Sequence, residues 1–229
     1  AHEHRLTLNI LTYGWSGRVT AAPKLRPDGS FDWSAWDNRF GPLADGSAFA
    51  DLPRGKVPTE ALYLPLNENW PMNHEKHFKG GYWIEHAFGV EYWSEFSAAA
   101  AGFTRHFSEK GWNETMFEFY LNNKVYFKNG KNGKPGSWKT SSATWIYDEP
   151  QHTQDFWAIR RFGEEFWKAT APYGDVRKAF RIDISRPEWQ RDLLDGVTNV
   201  DVVSGTLREY PQRVIGRNRR DGKLTYMYG

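Results

Sequence analysis

The stretch Ser142–Trp157, SATWIYDEPQHTQDFW, decides how the rest of the chain is read. An apolar, β-prone run (Ala143, Thr144, Trp145, Ile146, Tyr147) ends abruptly in two carboxylates, Asp148 and Glu149. Pro150 stops the run, and apolar residues then recur at helical spacing from about Thr153 to Ala171. A strand that delivers acids to its C-terminal end and turns into a helix is the repeating unit of a parallel α/β sheet.

Working outward, the same unit recurs. Residues 60–66 (EALYLPL) predict a strand that ends in Asn67, Glu68, Asn69 and Trp70. Residues 90–110 predict a helix with Tyr92, Phe96, Ala99, Phe103 and Phe107 on one face, stopped by Gly111. Residues 115–121 (TMFEFYL) predict a strand ending in Asn122, Asn123 and Lys124. Downstream, strands are expected at 177–184, 199–204 and 223–228, with a short helix opened by Pro187 and another within 208–218. Upstream, residues 5–13 read as a strand, and Asp32 caps a short helix carrying Trp33, Trp36 and Phe40. Residues 16–30, 41–58 and 128–141 read as Gly- and Pro-rich loops.

Seven strands alternating with helices predict a (β/α)8 TIM-type barrel with one strand outside this chain, its polar rim at the strand C-terminal ends. An open doubly wound sheet is the alternative, but no glycine-rich phosphate turn follows any strand. The expected organisation is a single domain over 1–229, part of a larger protein, since AHEH at the start reads as the tail of something longer.

Composition narrows the function. At 39% hydrophobic and 25% charged the chain can bury a core. Aromatics make up 17%, including 12 Trp, more than a core needs, which suggests flat surfaces for a ligand such as a sugar ring. Net charge is +2 with no basic run, arguing against nucleic acid; Arg217, Arg219 and Arg220 read as a solvated helix end. No apolar run is long enough for membrane insertion. The absence of cysteine excludes disulfides, thiolate metal sites and a cysteine nucleophile. No metal or other cofactor is expected: His74 and His77 have ligand-like spacing, but in a loop that spacing fixes no geometry. His152 reads as part of the helix cap.

Acids at a helix start also have a purely structural use, favouring the dipole. Their position at the end of an apolar strand points instead to chemistry. Conventional glycosidases need two carboxylates on opposite sides of the scissile bond. Neighbours such as Asp148 and Glu149 divide the work otherwise. One protonates the leaving oxygen while the other supports a nucleophile belonging to the substrate, such as the carbonyl oxygen of a 2-acetamido group. Mutual repulsion raises the pKa of one acid and helps keep it protonated. Candidate substrate-binding residues are Asn67 and Glu68 for hydroxyls, Trp70 as a stacking platform, Asn122 and Lys124, and Tyr226 and Tyr228 on the last strand. Two readings remain open beside this one: a conventional two-carboxylate site pairing Glu68 with Glu149, and a non-catalytic glycan-binding barrel.

LYLPLNENWPM (62–72), the aromatic helix after it, FEFYLNNK (117–124) and above all WIYDEPQHTQDFW (145–157) resemble the catalytic domain of glycoside hydrolase family 123 and its uncharacterised relatives. The resemblance covers most of the chain. It implies a (β/α)8 barrel, substrate-assisted retaining cleavage of β-N-acetylgalactosaminides, Asp148 orienting the acetamido group and Glu149 as general acid/base. It also implies flanking domains and a carbohydrate partner, and a secreted or periplasmic location is expected, although no signal peptide is visible.

Overall fold

The computed structural model describes residues 2–4, 21–81, 83–121, 145–204 and 212–228. Within them β1 (Lys24–Leu25) and β2 (Phe31–Asp32) form a small antiparallel ribbon. Helix α1 (Ser34–Ala44) follows, its first turn tied by Asp32, whose Oδ1 accepts from the Ser34 N–H at 3.0 Å. It runs through Pro42, further than the expected short helix. The principal sheet has five parallel strands in chain order: β3 (Ala61–Tyr63), β4 (Met116–Tyr120), β5 (Lys178–Ser185), β6 (Val200–Ser204) and β7 (Leu224–Tyr228).

This corrects the expected barrel. Among the described residues five parallel strands form an open, half-barrel α/β sheet, not a closed (β/α)8 barrel. Five of the seven expected strands are found near their predicted positions. The expected strand at 5–13 lies outside the described residues. The described part of the acid-bearing run, Trp145–Tyr147, is not a strand, because β4 pairs directly with β5 and leaves no place between them. These three side chains are nonetheless buried. The Ile146 N–H is satisfied by a side chain, the Asp155 carboxylate at 3.1 Å, where a strand would use a ladder partner. The acids therefore sit on the connection between β4 and helix α5 (Thr153–Thr170).

Alternation along the strands gives the sheet two faces. Leu62, Phe117, Phe119, Phe180 and Ile182 join the main core with helix α4 (Val90–Lys110) and α5. Phe107 of α4 stacks on Phe117 at 3.7 Å, and Phe166 of α5 stacks on Phe119 at 4.8 Å. Close approach of α5 to the sheet requires Gly163: a Cβ there would lie 2.7 Å from the Phe180 ring and against Val197. Helix α4 ends at Gly111, whose φ of 69° lets the Trp112 N–H reach back to the Phe107 carbonyl at 2.9 Å. Two short helices, α2 (His74–His77) and α3 (Ile84–Ala87), occupy the polar loop after β3. A 3-10 turn, Pro187–Gln190, follows β5, and helix α6 (Gln212–Arg220) precedes β7. No helix among the described residues is long and apolar enough to cross a membrane.

Candidate functional site

The acid-bearing connection is held from both ends. Asp155, in the first turn of α5, accepts the Ile146 N–H on one oxygen and the N–H groups of Gln151 (3.0 Å) and His152 (2.9 Å) on the other. One buried carboxylate thus staples residues on either side of Asp148-Glu149-Pro150. Burial pushes its pKa up, and the three backbone N–H groups pull against that.

Beneath the acids, Tyr147 is wholly buried and its hydroxyl meets His74 Nε2 at 2.9 Å. His74 is packed by Phe88 (4.6 Å) and Trp145 (6.1 Å). Burial lowers its pKa to about 3, so the imidazole is neutral. Burial likewise raises the Tyr147 phenol well above its ordinary value, aided by neighbouring Glu68 and Asp155. Tyr147 is therefore a neutral hydrogen-bonding prop one residue before Asp148.

Asp148 and Glu149 are half-buried. Glu149 adopts φ of +61°, the left-handed region that a β-carbon disfavours. Its N–H donates to the Asp183 carbonyl at 2.9 Å, tying it to the C-terminal part of β5. The backbone there is irregular too: Ser185 has φ of +44°, and the β5–β6 register shifts between Asp183 and Ser185. The Asp183 carboxylate is buried and accepts from the Ser185 N–H at 3.3 Å. Left-handed backbone at Glu149 and at Ser185, the last residue of β5, is strain, held only because the surrounding structure over-determines it.

The other face of the sheet carries a second polar group. Arg181 lies over the rings of Tyr63 (4.9 Å), Tyr120 (5.1 Å) and Tyr226 (5.9 Å). Its guanidinium is 3.5 Å from the fully buried Glu118 carboxylate, to which the Tyr226 hydroxyl also donates at 3.3 Å. Burial and that carboxylate push the Tyr226 pKa up to about 12. Asp183, two residues beyond Arg181, shares its face by strand alternation.

The expected binding residues divide. Tyr226 is in this inner-face cluster, with its hydroxyl engaged by Glu118. Glu68 is wholly buried; its backbone carbonyl accepts from the Tyr92 hydroxyl at 2.8 Å. Asn67 shapes a tight turn: its Oδ1 accepts the Asn69 N–H at 2.7 Å, and its backbone pairs with Trp70. Trp70 packs against Phe31 and Phe103, which leaves it more a part of the aromatic core than an open platform. Asn122 and Lys124 lie outside the described residues, as does the Tyr228 side chain.

Sequence reasoning missed Asp155, Glu118 and Arg181. Asp155 carries a local signal, three residues after the helix N-cap position. Glu118 is a charge inside an otherwise apolar strand, MFEFY, and Arg181 stands between Phe180 and Ile182 in KAFRIDIS, placements that call for a buried partner. Among the described residues no group of three or more His, Asp or Glu could hold a metal ion. Comparison of the chain with protein-family models, curated proteins and solved structures finds no match in any of the three.

Proposed function

We propose that this chain is a glycoside hydrolase that cleaves 2-acetamido-2-deoxy-β-hexosides with retention, the acetamido group of the substrate acting as nucleophile. Glu149 donates a proton to the leaving oxygen as the acetamido carbonyl oxygen forms its bond to the anomeric carbon and the glycosidic bond breaks. Asp148 accepts a hydrogen bond from the amide N–H and stabilises the positive charge of the oxazolinium ion. Glu149, now a carboxylate, then takes a proton from the water that reopens the ring. The observation that carries the reading is Glu149 itself: a half-buried acid beside a second acid, in left-handed backbone pinned to the Asp183 carbonyl. Strain of this kind clusters at functional sites, and the resemblance of WIYDEPQHTQDFW to family 123 supports the same roles.

Pairing Glu68 with Glu149 is less well supported. Glu68 has no exposed surface and lies close to Tyr92 and Tyr147, a poor position from which to flank a bound glycosidic bond.

The test uses leaving groups. Glu149→Gln is expected to lose about 10²–10⁴-fold in turnover on a hexosaminide with a poor leaving group, and far less on an activated aryl glycoside. Asp148→Asn is expected to weaken binding of a thiazoline mimic of the intermediate. Equal losses on both leaving groups would remove the general-acid role.

A further inference from the structure

A cleft of about 760 Å³ begins at Gln151, two residues after Glu149 in the chain, and is lined besides by Thr153, Phe156, Glu188, Trp189, Arg191 and Leu193. Its two walls grow from the segments that meet at the Glu149–Asp183 hydrogen bond. Gln151 and Thr153 follow the acid pair, and Glu188–Leu193 follow the end of β5. Its volume lies in the range of small-molecule sites and exceeds one pyranose ring.

The lining has a particular chemistry. Trp189 keeps 42% of its surface exposed, while the Arg186 guanidinium lies over its ring at 4.6 Å. Around it stand a primary amide (Gln151), a hydroxyl (Thr153), a carboxylate (Glu188) and a guanidinium (Arg191). These groups offer both donors and acceptors at the edge of the ring, as a polyhydroxylated ligand needs. A flat indole ringed by both donors and acceptors matches a pyranose, apolar on one face and hydroxylated at its edge.

The loop that presents Trp189 is fixed in place. Arg191 and Asp192 take φ of +45° and +68°. Asp192 accepts from Arg217 of α6 at 2.6 Å, and Arg160 of α5 donates to the Leu193 carbonyl at 2.9 Å. A platform held in advance costs less ordering on binding.

We infer that this cleft binds a sugar unit of the substrate next to the one being cleaved, with Trp189 as its stacking platform. The inference rests on the carbohydrate reading above but not on the catalytic roles of Asp148 and Glu149.

The test uses the wild-type chain first. N-bromosuccinimide oxidation is followed by peptide mass spectrometry with and without two probes: a β-1,4-linked N-acetylglucosamine trimer and a β-linked N-acetylgalactosamine-terminated tetrasaccharide. At least one probe is expected to slow oxidation of Trp189 several-fold and to leave the exposed Trp83 unchanged. Calorimetry of Trp189→Ala is expected to raise the dissociation constant of that probe about tenfold, in line with loss of an aromatic contact. Unchanged oxidation of Trp189 with both probes, or Trp189→Ala binding as tightly as wild type, overturns the inference. Protection of Trp189 without any hydrolysis keeps the cleft and removes the catalytic reading. Hydrolysis with Trp189 unprotected does the reverse.

Discussion

Acidification should expose His74 as a main acid-sensitive prop of the site. The imidazole is wholly buried, against Tyr147 and ringed by Phe88, Tyr92 and Trp145. Its folded pKa is about 3 against an ordinary value of 6.5. The sign follows from linkage: a depressed folded pKa means that below pH 6.5 the unfolded chain takes up a proton that the folded chain refuses. The stability His74 contributes is therefore complete above pH 6.5 and is lost as pH falls towards 3. At about 1.36 kcal/mol per pKa unit, protonation of the unfolded chain removes roughly 1.9 kcal/mol between pH 7 and pH 5. Carboxylates add their own acid sensitivity, so the informative quantity is a difference. His74→Leu should cost about 1–3 kcal/mol at pH 7 by leaving the Tyr147 hydroxyl buried without its partner. Urea unfolding of wild type and variant at both pH values gives the gap directly. It should narrow by about 2 kcal/mol on going to pH 5. A gap that stays constant would mean that His74 is protonated in the folded chain, and that the neutral His74–Tyr147 pair is not what supports the acid-bearing connection.

Other substitutions test separate parts of the structure. Asp155→Ala removes the acceptor shared by three backbone N–H groups, and should cost about 3 kcal/mol or more at roughly 1.5–3 kcal/mol per charged hydrogen bond; a loss under 1 kcal/mol by thermal unfolding would mean the staple is idle. Lys223→Met leaves Asp201, with no exposed surface, without its ion pair at 3.8 Å. It should destabilise by about 3–5 kcal/mol, with Asp201→Asn in the same chain recovering part of the loss. Gly163→Ala should destabilise by about 1–3 kcal/mol despite alanine's better helix propensity, because the new methyl meets Phe180 and Val197; a neutral or stabilising result in denaturant titration would show that α5 can move off the sheet.

Local pattern carried the elements and not the closure of the sheet. The helical spacing of Tyr92, Phe96, Phe103 and Phe107 is visible in sequence because each residue faces the same neighbour, and α4 spans Val90–Lys110 as expected. The runs 115–121, 177–184, 199–204 and 223–228 are likewise legible. Trp145–Tyr147 misled because a buried apolar triplet looks alike in a sheet and in a packed connection; what distinguishes them is the partner of the Ile146 N–H, a carboxylate nine residues away. The run Ala143–Tyr147 is one of the seven expected strands behind the barrel, whereas the described sheet has five. The acid pair was legible as a pair. Its geometry was not, since the left-handed turn at Glu149 depends on the Asp183 carbonyl, far along the chain. The Glu118–Arg181–Tyr226 cluster was equally hidden, because it is assembled from three different strands.

Substrate assistance at the Asp148–Glu149 pair, as proposed above, has a direct kinetic signature. The most direct measurement is kcat/KM of the wild-type protein on one aryl β-hexosaminide carrying an acetamido, difluoroacetamido or trifluoroacetamido group. Fluorine drains the carbonyl oxygen of electron density, so the rate should fall steeply along the series. A flat series, with all three groups tolerated equally, would contradict attack by the amide and move the nucleophile back to the protein.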